Sequence, residues 1–265
     1  MADPQTPLAL PDGTRIHFEA TGEGPAILVA NVLYGQSSLF SGFVENLSGD
    51  HRVITYDLRG TGESSRHGPY EPGVDLADLE ALLDHLGGAA AIVGVGDGCL
   101  RAVRIAAARP DLVGAVVATG TAVLARARQP EAYGLSGSGS VLSALVTLLE
   151  SDYRAGMRSI VESANQGLTE EEVRSRVERM VAHCPQEVAI ARLNIWRGDD
   201  VMEEARKLGD RLWILHYPGN PWFPEGLADQ IADVLPEARS EPIDEGPFAS
   251  PEQTAAVVRR IAAGG

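Results

Sequence analysis

The segment Ala90-Ala91-Ile92-Val93-Gly94-Val95-Gly96-Asp97-Gly98 is the most informative part of this 265-residue chain. Its first six residues form an apolar run that is typical of a strand buried on both faces of a parallel sheet. Glycines then alternate with other residues, and a helical pattern extends as far as Ala108, just before Pro110. The segment therefore predicts a buried strand that turns sharply into a helix.

Short apolar strands and helical patterns alternate on both sides of this segment. The patterns predict strands over residues 14–20, 26–30, 52–57, 113–119, 211–217 and 239–243, and helices over 74–86, 227–235 and 251–262. Strands that alternate with helices are typical of a parallel sheet with helices on its faces. The chain is therefore predicted to be an α/β protein.

One long interval, residues 122–205, has helical patterns and no strand pattern. Thr169 and Glu172 form a capping box that predicts the start of a helix. Two further helices are predicted over 140–149 and 186–197, and the glycine- and serine-rich stretch 134–140 reads as a hinge. The sequence thus predicts a core made of residues 1–121 and 206–265, with a helical cap, 122–205, inserted in it.

Composition and charge exclude several classes of protein. Hydrophobic residues make up 44% of the chain and charged residues 22%, which is ordinary for a globular protein. The net charge of −15 disfavours binding to nucleic acid or to an anionic membrane. Two cysteines without a metal-ligand spacing predict neither a disulfide framework nor a metal site. The N-terminal residues lack the pattern of a signal peptide and no apolar run reaches 18 residues, so a cytoplasmic location is expected.

A second motif connects the chain to a known family. Asp57-Leu58-Arg59-Gly60-Thr61-Gly62-Glu63-Ser64 follows a predicted strand and fits the pattern D-x-R-G-x-G-x-S. Together with the order of predicted elements, this turn resembles the α/β-hydrolase-fold superfamily over essentially the full chain. The likeness is to its capped branch, which contains enol-lactonases, epoxide hydrolases and C–C bond hydrolases. The resemblance implies a mostly parallel, eight-stranded sheet flanked by helices, with a helical cap.

The resemblance also implies a Ser-His-Asp catalytic triad, and its three places carry the wrong residues. The superfamily has a G-x-S-x-G turn after the strand at 90–95, and here Gly96 occupies the place of the nucleophile. Asn220 occupies the place of the orienting acid, and Pro247 that of the histidine base. Such a triad needs nucleophile, base and orienter together. We therefore predict no catalytic residue at these places and no hydrolysis by this mechanism.

Other reactive side chains offer weaker alternatives. Asp97 is interpreted as a helix N-terminal acid or a pocket-lining residue, with a nucleophilic role as the least favoured option. Cys99 and Cys184 fit buried thiols of the core. Gly94, Gly96 and Cys99 partly match a dinucleotide-binding fingerprint, but the next strand does not end in the acidic residue which that motif needs. No cofactor is therefore expected.

The implied ligand pocket lies between the carboxyl ends of the strands and the cap. Its floor is predicted to be mostly apolar, because glycine and proline replace polar triad members and leave room. The predicted substrate-binding residues are Asn31, Val32, Leu33, Gly96, Asp97, Asn220, Pro221, Trp222, Pro247 and Phe248. Such a floor suits a bulky apolar small molecule or a modified peptide.

Three functions remain open from the sequence: a ligand-binding pseudo-hydrolase, a non-hydrolytic enzyme such as a lyase or cyclase, and a hydrolase with an unrecognised triad. Among members of this fold that lack a triad, the chain is similar to the peptide epimerases of bottromycin biosynthesis. That resemblance implies a cofactor-free isomerase that inverts an aspartate α-carbon beside a thiazoline in a ribosomally made peptide. It further implies substrate-assisted catalysis, in which the substrate's own carboxylate moves the proton.

Overall fold

The computed structural model describes residues 7–32, 37–119, 141–164, 167–198, 200–217, 227–244 and 251–263. Within them lie the strands β1 (Leu8–Ala9), β2 (Arg15–Ile16), β3 (Phe18–Thr21), β4 (Ala26–Ala30), β5 (Arg52–Tyr56), β6 (Ala89–Val95), β7 (Val113–Thr119), β8 (Leu212–His216) and β9 (Arg239–Pro242). The helices are α1 (Ser41–Leu47), α2 (Pro72–Leu86), α3 (Gly98–Ala108), α4 (Val141–Ser151), α5 (Tyr153–Ala164), α6 (Glu170–His183), α7 (Gln186–Gly198), α8 (Met202–Leu208), α9 (Leu227–Val234) and α10 (Pro251–Ala262). The α/β class is confirmed, and so are the predicted strands and helices other than the strand at 14–20, with ends that differ by at most two residues.

The sheet has seven strands in the order β3-β5-β4-β6-β7-β8-β9. Every neighbouring pair is parallel except β3 and β5, which run antiparallel. Among the described residues this sheet has one strand fewer than the eight expected, because β1 and β2 pair only with each other.

The strand predicted over residues 14–20 is interrupted at His17. The His17 N–H donates to Ser64 Oγ at 2.9 Å, and the His17 carbonyl accepts from the Asp57 N–H at 3.0 Å. Arg15 is likewise bonded to Ser65. Because these backbone groups are engaged by the turn that follows β5, residues before and after His17 join different sheets.

Helices cover both faces of the sheet, as the fully buried strands require. In β4, Leu28 packs in a core shared with α2, α3, α8 and α9, while Ile27 and Val29 pack in a second core with α1 and α10. This alternation follows from the two-residue period of a strand. No helix among the described residues is long and apolar enough to cross a membrane.

Helices α4 to α7 form a separate layer with its own apolar core, which includes Leu149, Met157, Val177 and Leu193. We call these helices the four-helix layer. The predicted capping box is confirmed: Thr169 Oγ1 accepts from the Glu172 N–H, and the Glu172 carboxylate accepts from the Thr169 N–H. Helix α8 instead packs its apolar residues into the core beneath the sheet.

Candidate functional site

The sharp turn after β6 leads directly into α3 and has the expected form. Gly96 adopts a left-handed conformation with φ of +56°. Asp97 has helical backbone angles, with φ of −65° and ψ of −17°. The carbonyls of Gly96 and Asp97 accept the first helical hydrogen bonds, from Cys99 at 3.1 Å and Leu100 at 3.0 Å. The turn places Gly96 at the carboxyl end of the sheet, where ligands bind in folds of this class.

The three glycines of this turn differ in what a side chain would meet. A Cβ on Gly94 would lie 2.6 Å from the Cys99 Cα, and one on Gly98 would lie 1.9 Å from the Ala30 carbonyl oxygen. Both positions therefore require glycine. A Cβ on Gly96 would lie 3.5 Å from the nearest atom, a carbon of Val32, which is ordinary contact. The turn thus has room for a nucleophile at residue 96 and presents none.

Asn31 follows β4 and lies beside this turn. Its side chain is buried, and its Oδ1 accepts from the Val32 N–H at 2.8 Å. This bond fixes the orientation of the amide, so that Nδ2 is the atom left to donate. Nδ2 is buried without a hydrogen-bond partner among the described residues. The site therefore holds an amide donor, whereas the Val32 N–H is already engaged.

Asp97 is a buried carboxylate held by α3. Its Oδ2 lies 2.5 Å from Nη1 of Arg101, and Nη2 of the same arginine donates to the Asn31 carbonyl at 2.5 Å. Burial alone would lower the pKa of Arg101, but Asp97, Tyr56 and Asp75 together outweigh it and the pKa is raised. A carboxylate stabilised in this way is a poor nucleophile, because attack would break its ion pair.

A pocket opens beside the turn, between α2, α3 and α7. Its cavity volume is small, about 20 Å³, and the pocket opens to solvent. Its lining is Pro72, Asp75, Leu76, Asp97, Leu100, Arg101, Arg104, Arg192 and Ile195. Asp97 belongs to this lining. The pocket is more charged than the apolar floor that the sequence predicts.

Several predicted substrate-binding residues lie outside the described part of the chain. These are Leu33, Asn220, Pro221, Trp222, Pro247 and Phe248. The structure therefore brings together Asn31, Val32, Gly96 and Asp97 from the predicted set. Asn31 and Asp97 are buried, and Val32 and Gly96 are partly exposed.

A network of ion pairs joins the four-helix layer to the rest of the protein, which we call the body and which contains the sheet and its flanking helices. Arg192 of α7 pairs with Asp75 of α2, and its Nη2 donates to the Arg59 carbonyl at 2.6 Å. Arg59 makes a two-pronged pair with Asp78 at 2.8 and 2.7 Å and a further pair with Asp12 at 2.8 Å. The arginine of the D-x-R-G-x-G-x-S turn thus has a structural role, and this network positions α7 over the pocket.

Sequence reasoning did not single out Asp75, Arg101, Arg104 or Arg192. The sequence does carry a pattern that could have identified two of them. Arg101 and Arg104 are three residues apart on α3, which is otherwise largely apolar. Residues with this spacing share one face of a helix. Nothing local marks Arg192, whose partner Asp75 is 117 residues away.

The two cysteines are inert. Both are buried, as predicted. Burial raises the pKa of Cys99 far above its ordinary value and that of Cys184 to about 12. Both therefore remain thiols near neutral pH and offer no thiolate nucleophile. Over the part of the chain that the structure describes, no group of three or more potential ligands is placed to hold a metal ion.

Comparisons with known proteins agree with this architecture. Residues 25–155 match the protein family described as alpha/beta hydrolase fold. The chain is 25% identical over 231 residues to a pimeloyl-[acyl-carrier protein] methyl ester esterase of Nitrosomonas europaea, which covers 84% of this chain and 88% of that protein. An esterase from Exiguobacterium antarcticum has a TM-score of 0.81 at 17% identity, covering 97% of this chain and 99% of the other. The enol-lactonase from Burkholderia xenovorans LB400 has a TM-score of 0.72 at 20% identity, covering 95% and 96%.

Proposed function

From the premise that this chain is an α/β-hydrolase-fold protein, we propose that it is an enzyme that does not hydrolyse its substrate. The observation that carries this proposal is Gly96, which occupies the nucleophile's place in a turn that has space for a side chain. The neighbouring groups do not substitute for it. Asp97 is ion-paired with Arg101, and Cys99 is a fully buried thiol with a raised pKa.

We further propose that the reaction is the epimerisation of an aspartate α-carbon beside a thiazoline in a ribosomally made peptide. This finer assignment is supported by the resemblance to bottromycin-pathway epimerases and by the lack of a nucleophile at Gly96. The thiazoline C=N acidifies the α-proton, so a moderate base that is held close suffices. The substrate's own carboxylate takes this proton, and the electron pair of the C–H bond is delocalised into the C=N group. A proton then returns to the opposite face of the carbon, so the product contains the same atoms as the substrate.

The protein's contribution in this mechanism is shape and electrostatics. We propose that the four-helix layer acts as a cap that excludes water and holds the peptide in the reactive conformation. Orientation of this kind supplies several kcal/mol of the barrier reduction, on the order of 7–11 kcal/mol in the best intramolecular cases. Asn31 Nδ2 is the donor that stabilises the negative charge formed as the proton leaves.

Hydrolysis of an ester is the second candidate, because the methyl ester esterase of Nitrosomonas europaea is similar over 84% of this chain. That activity requires a nucleophile other than a residue 96 side chain. We expect purified protein to give no turnover above buffer with a panel of activated esters and lactones. Turnover that disappears in Asp97→Asn or Cys99→Ala would contradict the non-hydrolytic proposal and identify the nucleophile.

Exchange in heavy water tests the epimerisation directly. A thiazoline-containing peptide should incorporate deuterium at the aspartate α-carbon, and both epimers should form from either starting form. Replacing the substrate aspartate with asparagine should abolish exchange, whereas Asp97→Asn should change it little. If Asp97→Asn abolishes exchange and the asparagine peptide still reacts, the base belongs to the protein. A peptide that binds without any exchange would instead support the ligand-binding alternative.

The role of Asn31 has its own test in the same assay. Asn31→Asp keeps an oxygen that accepts from the Val32 N–H but removes the Nδ2 donor. We expect the exchange rate to fall by roughly 100-fold or more, the size seen when one such donor is removed. An unchanged rate in a folded Asn31→Asp variant would exclude Asn31 from charge stabilisation.

A further inference from the structure

The lining of the pocket between α2, α3 and α7 includes buried polar atoms that lack a hydrogen-bond partner. Among the described residues, Oδ1 of Asp75 and the Nε atoms of Arg101 and Arg192 are buried and have no hydrogen-bond partner. The side chains of Asp75 and Arg192 are only 5% and 2% exposed. An unsatisfied buried donor is costly, and an oxygen atom of a ligand would satisfy the two arginine Nε–H groups. Asp75 Oδ1 is an acceptor and would not take part in binding an anion.

The charge of this lining is opposite to that of the chain. Arg101, Arg104 and Arg192 supply three positive charges, and Asp75 and Asp97 supply two negative charges. The pocket therefore has one positive charge in excess, on a protein whose net charge is −15. In an acidic protein, such a site attracts an anionic group that the remaining surface repels.

We propose that this pocket binds a carboxylate group of a ligand. Arginine has a planar set of donors that matches the two oxygens of a carboxylate, and a single negative charge balances the excess of the lining. A phosphate dianion fits less well, because Asp75 and Asp97 would repel its second charge. The proposal rests on the pocket and is independent of the reaction proposed above.

The geometry also links binding to the position of the four-helix layer. Arg101 and Arg104 belong to α3 of the body, whereas Arg192 belongs to α7 of the layer. A carboxylate held by both sets of arginines bridges the two parts. Arg192 is already anchored by Asp75 and the Arg59 carbonyl, so the site requires little rearrangement to form.

Nuclear magnetic resonance of the arginine Nε–Hε groups in the full chain tests the proposal. The probes are acetate, N-acetylphenylalanine with its free carboxylate, and N-acetylphenylalaninamide. We expect the two carboxylates to shift the Arg101 and Arg192 signals and the amide to leave them unchanged. Comparison of acetate with N-acetylphenylalanine shows whether the carboxylate is sufficient for binding or whether the apolar side chain of the ligand also contributes. Equal shifts with the amide, or stronger binding of inorganic phosphate than of either carboxylate, would overturn the assignment.

Two arginine variants, one on α3 and one at its C-terminal end, provide the matched comparison. Arg104→Gln removes a charge from the pocket and should weaken carboxylate binding about tenfold, as expected for loss of one charged hydrogen bond. Arg109→Gln removes a charge just after the end of α3, where the arginine pairs with Glu80, Asp84 and Asp111 outside the pocket. It should leave binding unchanged. If both variants weaken binding equally, the effect is one of overall charge and the pocket is not the site.

Discussion

Gly94, Gly96 and Gly98 occupy one turn for different physical reasons. Gly94 and Gly98 allow the backbones of β4, β6 and α3 to approach more closely than a Cβ permits. Gly96 satisfies a left-handed backbone, with φ of +56°, but has space above it. A side chain at residue 96 is thus disfavoured by the left-handed backbone conformation, whereas one at residue 98 is excluded because it would collide with the Ala30 carbonyl.

Alanine substitutions at two of these glycines should therefore have different costs. Gly96→Ala should lower the free energy of unfolding by about 1–2 kcal/mol, the cost of a left-handed conformation for a residue with a Cβ. Gly98→Ala should cost about 3 kcal/mol or more, because its Cβ would lie 1.9 Å from the Ala30 oxygen. Chemical denaturation of the two variants measures the difference. Equal costs would mean that β4 and α3 can separate without penalty.

At the level of helices and strands, the contact between α7 and α2 includes a buried ion pair. Arg192 and Asp75 are both almost fully buried and lie on helices from different parts of the molecule. A buried pair of this kind is weak evidence for stability as a whole, but removing one partner leaves an uncompensated charge. The pair therefore helps to fix the position of α7 against α2.

Substitution of one partner should be more harmful than substitution of both. Arg192→Leu should lower the free energy of unfolding by about 3–5 kcal/mol, and Arg192→Leu with Asp75→Leu should recover most of this loss. Arg158→Leu is a suitable control within the four-helix layer, since Arg158 is exposed and pairs with Glu162 and Glu170. It should cost at most about 1 kcal/mol. A double variant as unstable as Arg192→Leu would show that the arginine stabilises α7 through its packing instead of its charge.

On the scale of the whole molecule, the described residues contain apolar cores on both faces of the sheet and a third core inside the four-helix layer. Cys99 is buried in the first and Cys184 in the third. The layer's core is the smallest of the three, so less apolar surface opposes its opening. Each cysteine therefore reports on a different part of the protein.

Alkylation of the two cysteines should reveal whether these parts unfold separately. In native buffer neither thiol should react readily, because both are buried and the pKa of each is raised by burial. As denaturant is added, Cys184 should react at a lower concentration than Cys99. Mass spectrometry of the labelled peptides gives both midpoints, and Cys184→Ala confirms the assignment. Coincident midpoints would mean that the layer and the body unfold as one unit.

Local pattern was sufficient to predict most of the strands and helices, the capping box at Thr169 and the glycine-rich turn. The short strand β1 and the helices α1, α5 and α8 were not predicted. The predicted features follow from residue periods and turn chemistry that act over a few neighbouring positions. The absence of a nucleophile at Gly96 is equally a property of one residue in a recognisable turn. The division of the first predicted strand at His17 was not predictable, since it results from hydrogen bonds to Ser64 in a distant turn.

The character of the pocket was decided by contacts between residues that are far apart in the chain. Arg101 reaches the carbonyl of Asn31 across 70 positions, and Arg192 reaches the carbonyl of Arg59 across 133. The sequence pattern does not show which charged residues form pairs, because each arginine is equally compatible with an exposed helix face. Only the packing of α7 on α2 and α3 buries these charges together, and burial makes their pairing and their unsatisfied atoms energetically important.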